Sequence, residues 1–254
     1  MKSVLFSLLF TVALIPIIAL SQSNSPKSPV EIGGEPRHHP KFENEFVRIW
    51  DVTVPAGDAT LWHVHRNDNV VVTLGGATLR IENMSSATVE GEWKFGDVRF
   101  SKATYVHRAM NIGTTPFHNF TIELLKSPFS GSEAVTARMG PEIYSQKQRG
   151  PRLSDRLQEM EKRTDSKPVI DNDRVRVYRL SLAPGESTKV HTHFLPGLGL
   201  VITAAEVEVV TKGKDKPDRL KLPAGDLRWR ASPVTHSIKN IGGTRFEAVD
   251  IELK

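Results

Sequence analysis

"GDATLWHVHRNDNVVVTLGG", residues 57–76, sets two histidines one residue apart in a β-branched stretch bounded by glycines. Residues i and i+2 of a strand share a face, so His63 and His65 project together. A second stretch, "GESTKVHTHFLPGLGLVITA" at 185–204, carries His191 and His193 in the same setting. Two imidazoles a strand step apart can chelate one ion at ordinary His–metal distances.

The two stretches belong to an internal repeat. "NEFVRIWDVTVPAGDATLWHVH" begins at Asn44 and "NDRVRVYRLSLAPGESTKVHTH" at Asn172, an offset of 128 that aligns Gly57 with Gly185 and both histidine pairs. Further on, "GDVRFSKATYVHRAMNIGTTPFHNFTIEL" (96–124) aligns with "GDLRWRASPVTHSIKNIGGTRFEAVDIEL" (225–253) at an offset of 129. One residue of slippage over a whole repeat is a loop insertion. The chain is therefore a duplicated domain. The second half of the repeat brings a third histidine to each copy, His107 and His236. Three neutral imidazoles on one face leave coordination positions open, which is the layout of a catalytic site more than of a closed structural one.

Each copy is composed of short strands. "FVRIWDVTV" and "VRVYRLSL" alternate apolar and polar residues, and "VVVTL", "ATLRIEN" and "AEVEVVT" are short and β-branched. Turn signals such as "PAG", "LGG", "APGES" and "LPAGD" separate them, which predicts an all-β sandwich or barrel. Between the copies the composition turns polar and charged, and "LSDRLQEMEKR" (153–163) predicts a short helix opened by Ser154 or Asp155. At the N-terminus, Lys2 precedes an apolar run over 4–20 and the small residues of "ALS", the pattern of a signal peptide cut near Ser21/Gln22. This predicts an exported protein, periplasmic or secreted, with no stable membrane anchor after cleavage. Residues 22–41, rich in Pro, Ser and Gly, read as a flexible lead-in, and His38 and His39 within it read as incidental.

Composition narrows the chemistry. There is no cysteine, so disulfides and thiolate ligands are excluded, and any metal must use histidine, carboxylate, amide or water. Lys plus Arg (34) exceed Asp plus Glu (29) by only 5, and the basic residues are scattered, which argues against a nucleic-acid partner.

The spacing resembles that of the cupins, whose first motif is Gly, five residues, His-x-His, three or four residues, Glu, six residues, Gly. Gly57, His63, His65 and Gly76 fit it, with Asn69 at the Glu position. Gly96, Lys102, Thr104, His107 and Asn111 fit the spacing of the second motif, with its Pro and Gly replaced. The second copy gives Gly185, His191 and His193, then Gly197 where Glu would stand, followed by Gly225, Pro233, His236 and Asn240. The resemblance covers residues 42–125 and 170–254. It implies two tandem jelly-roll-like cupin barrels, over 42–126 and 169–254, joined by a linker (127–168) with one short helix. Cupins with the complete motif hold Mn, Fe, Ni, Zn or Cu through three His and one Glu. Both copies here lack that Glu, which leaves three-His sites similar to those of the three-histidine non-haem iron dioxygenases.

The expected ligands are therefore His63, His65 and His107, and His191, His193 and His236, with Asn69 as a weak fourth. The expected ion is a divalent transition metal, Fe(II) favoured, with Mn, Zn or Ni as alternatives. Three functions fit: a metal-dependent oxygenase of a small organic molecule, a non-redox lyase or isomerase, and a module that binds a small ligand without turnover. Candidates for a general base are His118, Asp68 and Glu247. Arg99 and Arg228 are candidates for binding a substrate carboxylate through a bidentate fork, the alternative being an exposed strand face. Trp62 is expected in core packing, and Asn111 and Asn240 in turns. Association into a homo-oligomer is left open.

Overall fold

The computed structural model describes residues 28–128 and 167–254, Ser232 excepted. The signal peptide and the helix expected over 153–163 lie outside the described residues. In the first repeat the strands are β1 (Val30–Glu31), β2 (His38–Glu43), β3 (Val47–Val54), β4 (His63–His65), β5 (Asn69–Gly75), β6 (Ala77–Asn83), β7 (Val89–Trp93), β8 (Val98–Ser101), β9 (Tyr105–Asn111) and β10 (Phe117–Leu124). The second has β11 (Ile170–Asp171), β12 (Val175–Leu182), β13 (His191–His193), β14 (Gly197–Val201), β15 (Ala205–Thr211), β16 (Asp218–Leu222), β17 (Leu227–Arg230), β18 (Val234–Asn240) and β19 (Phe246–Leu253).

The repeat is reproduced strand by strand. The starts of β6 and β15 differ by 128 (205 minus 77) and those of β7 and β16 by 129 (218 minus 89), so the extra residue sits in the turn after β15. Motif glycines close four equivalent turns. Gly57, Gly96, Gly185 and Gly225 have φ between 77° and 80°, and in each turn the next residue's N–H donates to a carbonyl three residues back. A positive φ at the third turn position is what a type II turn requires, and glycine adopts it without a Cβ clash.

Each repeat folds into two facing sheets. The first has the strand orders β1-β4-β9-β6-β7 and β2-β3-β10-β5-β8, and the second β13-β18-β15-β16 and β11-β12-β19-β14-β17. The β2 and β11 sheets are covered on both faces, so their strands bury polar as well as apolar residues and burial does not follow the polar–apolar alternation of a half-solvated strand. On β3, Trp50, Val52 and Val54 face the barrel interior, while Val47 and Ile49 face outward into a second core. That core joins the copies. Ile49, Val72, Phe120 and Ile122 of the first pack with Val177, Leu198, Val249 and Ile251 of the second. Trp229 stacks on Phe46 at 5.8 Å between centroids, and Arg174 Nη1 donates to Asp68 Oδ2 at 2.9 Å.

The N-terminal segment departs from expectation. Within the stretch read as a flexible lead-in, β1 pairs in parallel with β4, and β2 forms the edge of the sheet beside β3. Pro40 lies where the β2–β3 register shifts, and an edge strand at a bulge is where a sheet tolerates a residue without an N–H donor. Trp62 is only partly buried. It lies outside the apolar cores, with the Arg108 guanidinium over its ring at 5.6 Å.

Candidate metal centre

β4 and β9 are antiparallel neighbours with His63 opposite His107, and this register brings the distant third histidine to the pair. The Nε2 atoms form a compact triangle, with His63–His65 and His65–His107 both at 3.1 Å and His107–His63 at 3.0 Å. Three nitrogens bound at about 2.1 Å to one ion lie about 3.0 Å apart for perpendicular bonds and about 3.4 Å apart at the tetrahedral angle. The observed triangle matches the perpendicular case, the face of an octahedron.

Protonation favours the same reading. The Nδ1–H of His63 donates to the Leu61 carbonyl at 2.8 Å, and a carbonyl can only accept, so the lone pair of the neutral ring lies on Nε2. Burial lowers the His63 pKa to about 4. Burial, followed by the neighbouring histidines, also puts His65 and His107 well below the ordinary imidazole value. Three neutral imidazoles, two buried and one half-buried, with nitrogens about 3 Å apart repel one another unless a cation lies between them, and neutral imidazole is the form that a metal binds.

The second copy repeats the arrangement. His191 is opposite His236 across β13 and β18. His193–His236 and His236–His191 Nε2 separations are 3.1 and 3.2 Å, and the ligand atoms of all three lie within 4.8 Å of one another. His191 Nδ1–H donates to the Lys189 carbonyl, and His193 Nδ1–H to Glu252 Oε1, both at 2.8 Å. A ligating histidine tied through its other nitrogen to a carbonyl or carboxylate is the usual supporting arrangement of metal sites. Burial lowers the His236 pKa to about 3, helped by His193 and His191. All six predicted histidines thus converge in two sets, and among the described residues both sets fit a metal ion.

The missing motif glutamate has a different cause in each copy. Asn69 is fully buried and donates through Nδ2 to the Tyr105 hydroxyl at 3.0 Å, and Tyr105 stacks on His65 at 4.7 Å with planes 13° apart. Asn69 therefore anchors an aromatic wall beside the triad. At Gly197 a Cβ would come within 2.2 Å of the Ile251 carbonyl oxygen and 2.9 Å of Arg230 Nη2. Arg230 fills the space a side chain would need there, held by Asp250 through bonds of 2.7 and 2.9 Å.

Each set lines a cavity, of about 470 Å³ in the first barrel and about 950 Å³ in the second. Val54, Leu79 and Phe117 give the first an apolar wall, and Arg230 and Asp250 make the second more polar. Arg99 and Arg228 line these cavities as well. They are exposed, Arg99 over the Trp93 ring at 4.2 Å and beside Asp97, Arg228 bonded to Asp226 at 2.9 Å.

The three base candidates are elsewhere. On β10, Asn119 and Thr121 face the cavity, so His118 faces out, where its Nε2 meets Asp51 at 2.8 Å. Asp68 accepts from Arg174 and from the Ala103 N–H, and Glu247 lies 3.9 Å from Arg179. None of the three lines either cavity, so the assignment of His118 as a catalytic base is corrected. Asn111 and Asn240 are buried turn-formers as expected, each donating to two carbonyls and accepting from Gly113 or Gly242. Sequence reading missed Tyr105, Arg230, Asp250 and the N-terminal His38.

The fold is that of two tandem cupin-like barrels. No protein-family model matches the chain, and no curated protein matches it. Among solved structures, AerE from Microcystis aeruginosa is similar at a TM-score of 0.53 and 13% identity, over 87% of this chain and 98% of that one. A salicylate 1,2-dioxygenase variant from Pseudoaminobacter salicylatoxidans in complex with gentisate is similar at a TM-score of 0.56 and 16% identity, over 89% of this chain and 76% of that one.

Proposed function

We propose that the protein is an exported, Fe(II)-dependent oxygenase of small organic molecules. The observation that supports this most directly is the pair of convergent imidazole triads, buried or half-buried, each at the wall of a cavity. His63, His65 and His107 would hold one ion, and His191, His193 and His236 a second. Three nitrogens at octahedral rather than tetrahedral spacing, with further positions open, suit non-haem iron better than four-coordinate zinc. When bound, such an ion supplies a centre that brings dioxygen and a chelating substrate together.

The rest is the work of the chain's own side chains. Val54, Leu79 and Phe117 exclude water and receive an apolar body. Arg99 and Arg228 offer a cation at each cavity, and Arg's planar fork suits a carboxylate. Tyr105, held by Asn69, keeps the His65 ring in place. The substrate class these features favour is a small hydroxylated or enolic acid. The likeness in fold to a salicylate dioxygenase that binds gentisate supports beginning there. Export rests on the apolar run over 4–20, and cell fractionation with sequencing of the mature N-terminus tests it.

The test of activity uses protein purified without added metal and without a histidine tag, reconstituted anaerobically with Fe(II). Oxygen uptake is followed with a panel of hydroxybenzoates and enolic acids. The expected result is uptake that needs both iron and substrate and is lost in the His63→Ala/His191→Ala double variant. A bound ion that is redox-silent, with no oxygen consumed on any substrate, refutes the oxygenase reading and favours a non-redox enzyme or a binding module.

A further inference from the structure

Among the described residues, a fourth histidine stands beside the first centre and none beside the second. His38, on the edge strand β2, is buried and lines the same cavity as His63, His65 and His107. Its ring lies 4.7 Å from that of His63 and 6.1 Å from that of His65, centroid to centroid. One ring nitrogen from each of His38, His63 and His65 falls within 4.8 Å of the others.

The tautomer of His38 is also set. Its Nδ1–H donates to Glu35 Oε2 at 2.5 Å, and the Glu35 side chain is wholly buried. Burial alone would raise the Glu35 pKa, but the bond from His38 and the backbone N–H groups of Leu61 and Arg37 hold it below the ordinary value. The carboxylate therefore accepts and His38 carries a proton on Nδ1, which leaves Nε2 as the nitrogen that can meet an ion. A carboxylate behind the far nitrogen is the pattern that orients a metal-bound histidine and raises its basicity. A histidine that only tethered the N-terminal segment would need no second histidine beside it, still less a convergent triad.

We propose that His38 is a fourth nitrogen ligand of the ion in the first barrel, standing in for the motif glutamate that Asn69 replaces. The inference rests on the metal-binding reading above. The fourth nitrogen lies farther out than the 3.0–3.1 Å triangle, so a small rotation of the ring on its edge strand brings it in when an ion binds. Among the described residues the second barrel has no equivalent fourth histidine. One repeat later, at 38 plus 128, the chain carries Ser166, and Arg230 crowds the glutamate position. The two centres therefore differ in ligand number, four nitrogens against three, and the smaller cavity belongs to the more saturated one.

The test uses the full chain with His191→Ala/His236→Ala, which silences the second set. This background is loaded with Cu(II), and its coordinated imidazoles are counted by pulsed EPR. The expected count is four, falling to three on adding His38→Gln, with the Kd for Co(II) weakened about tenfold or more. Three imidazoles in the background, or a count and Kd unmoved by His38→Gln, overturns the inference while leaving the metal-binding reading standing. Circular dichroism of metal-free His38→Gln checks its fold. If that variant does not fold, the count in the background decides alone, four in favour and three against. Copper that binds the unaltered protein but not this background also overturns the inference. No metal in either protein overturns both readings.

Discussion

Replacing Ile251 by Ala tests whether the two barrels unfold as one body. Ile251 is fully buried on β19, in the core that β3, β5 and β10 of the first repeat share with β12, β14 and β19 of the second. The substitution removes three carbon atoms, worth about 2.4 kcal/mol in transfer at about 0.8 kcal/mol per group. A cavity term brings the expected loss to about 3–4 kcal/mol, within the range for such truncations. With a urea m-value of about 3 kcal/mol/M, the midpoint falls by about 1 M. The informative probe lies in the other repeat. Trp50, Trp62 and Trp93 all belong to the first barrel, and Trp229 is the only other tryptophan. In a Trp229→Phe background, fluorescence therefore reports the first barrel alone. The expected result is a single transition in that signal, shifted by the full amount although the substitution lies in the second barrel. A first-barrel midpoint unmoved by Ile251→Ala, with circular dichroism showing a separate earlier transition, refutes the shared-core argument.

Three further predictions concern the sites and the chain ends. Mn(II) or Zn(II) at about 100 times its Kd should stabilise the protein by about 2.7 kcal/mol per site, a rise in Tm of about 5–10 °C that His63→Ala/His191→Ala abolishes; a melt indifferent to every divalent ion contradicts the metal reading. Gly197→Glu, which restores the motif residue, should destabilise by about 3 kcal/mol rather than improve metal binding, because the clash is with backbone; a variant with unchanged Tm and tighter metal shows the argument wrong. Asp171 is desolvated, but bonds from Arg176 and Lys254 still lower its pKa, so its stabilising effect is present above about pH 4 and is lost as pH falls through the depressed folded value. Asp171→Asn should therefore lower Tm at pH 7 and converge with the parent as the pH falls below the ordinary carboxylate range, and a difference that stays constant on acidification excludes this linkage.

What the sequence revealed and what it hid follow from strand physics. The i, i+2 histidine pairs and the turn glycines were legible because a strand face and a positive φ each leave a local mark. The duplication supplied the third histidine of each set, since His107 and His236 fall in register. His118 misled because β10 is covered on both faces. Its alternation runs between Phe120, Ile122 and Leu124 on one side and Asn119, Thr121 and Glu123 on the other, all buried, so parity cannot be read from polarity. His38 was missed because Pro40, two residues on, reads as loop unless the strand is already known to be an edge. Arg230 and Asp250 were missed because the first copy has Ser101 and Thr121 in their places, so the repeat comparison that exposed the histidines passed over them.

The shared core separates two kinds of constraint on a duplicated gene. Once each copy covers the other's apolar sheet, neither can be deleted without exposing that sheet to water, and this holds whether or not a copy retains any chemistry. Valines and isoleucines at the junction are thus kept by mutual shelter. The histidines receive no such protection, since they line the far side of each barrel and contribute nothing to the junction. A copy kept only as a cover would be free to lose them. Both triads are present although the positions beside them differ, Asn69 in one copy and Gly197 in the other, so the junction accounts for the pairing of the barrels and not for their histidines.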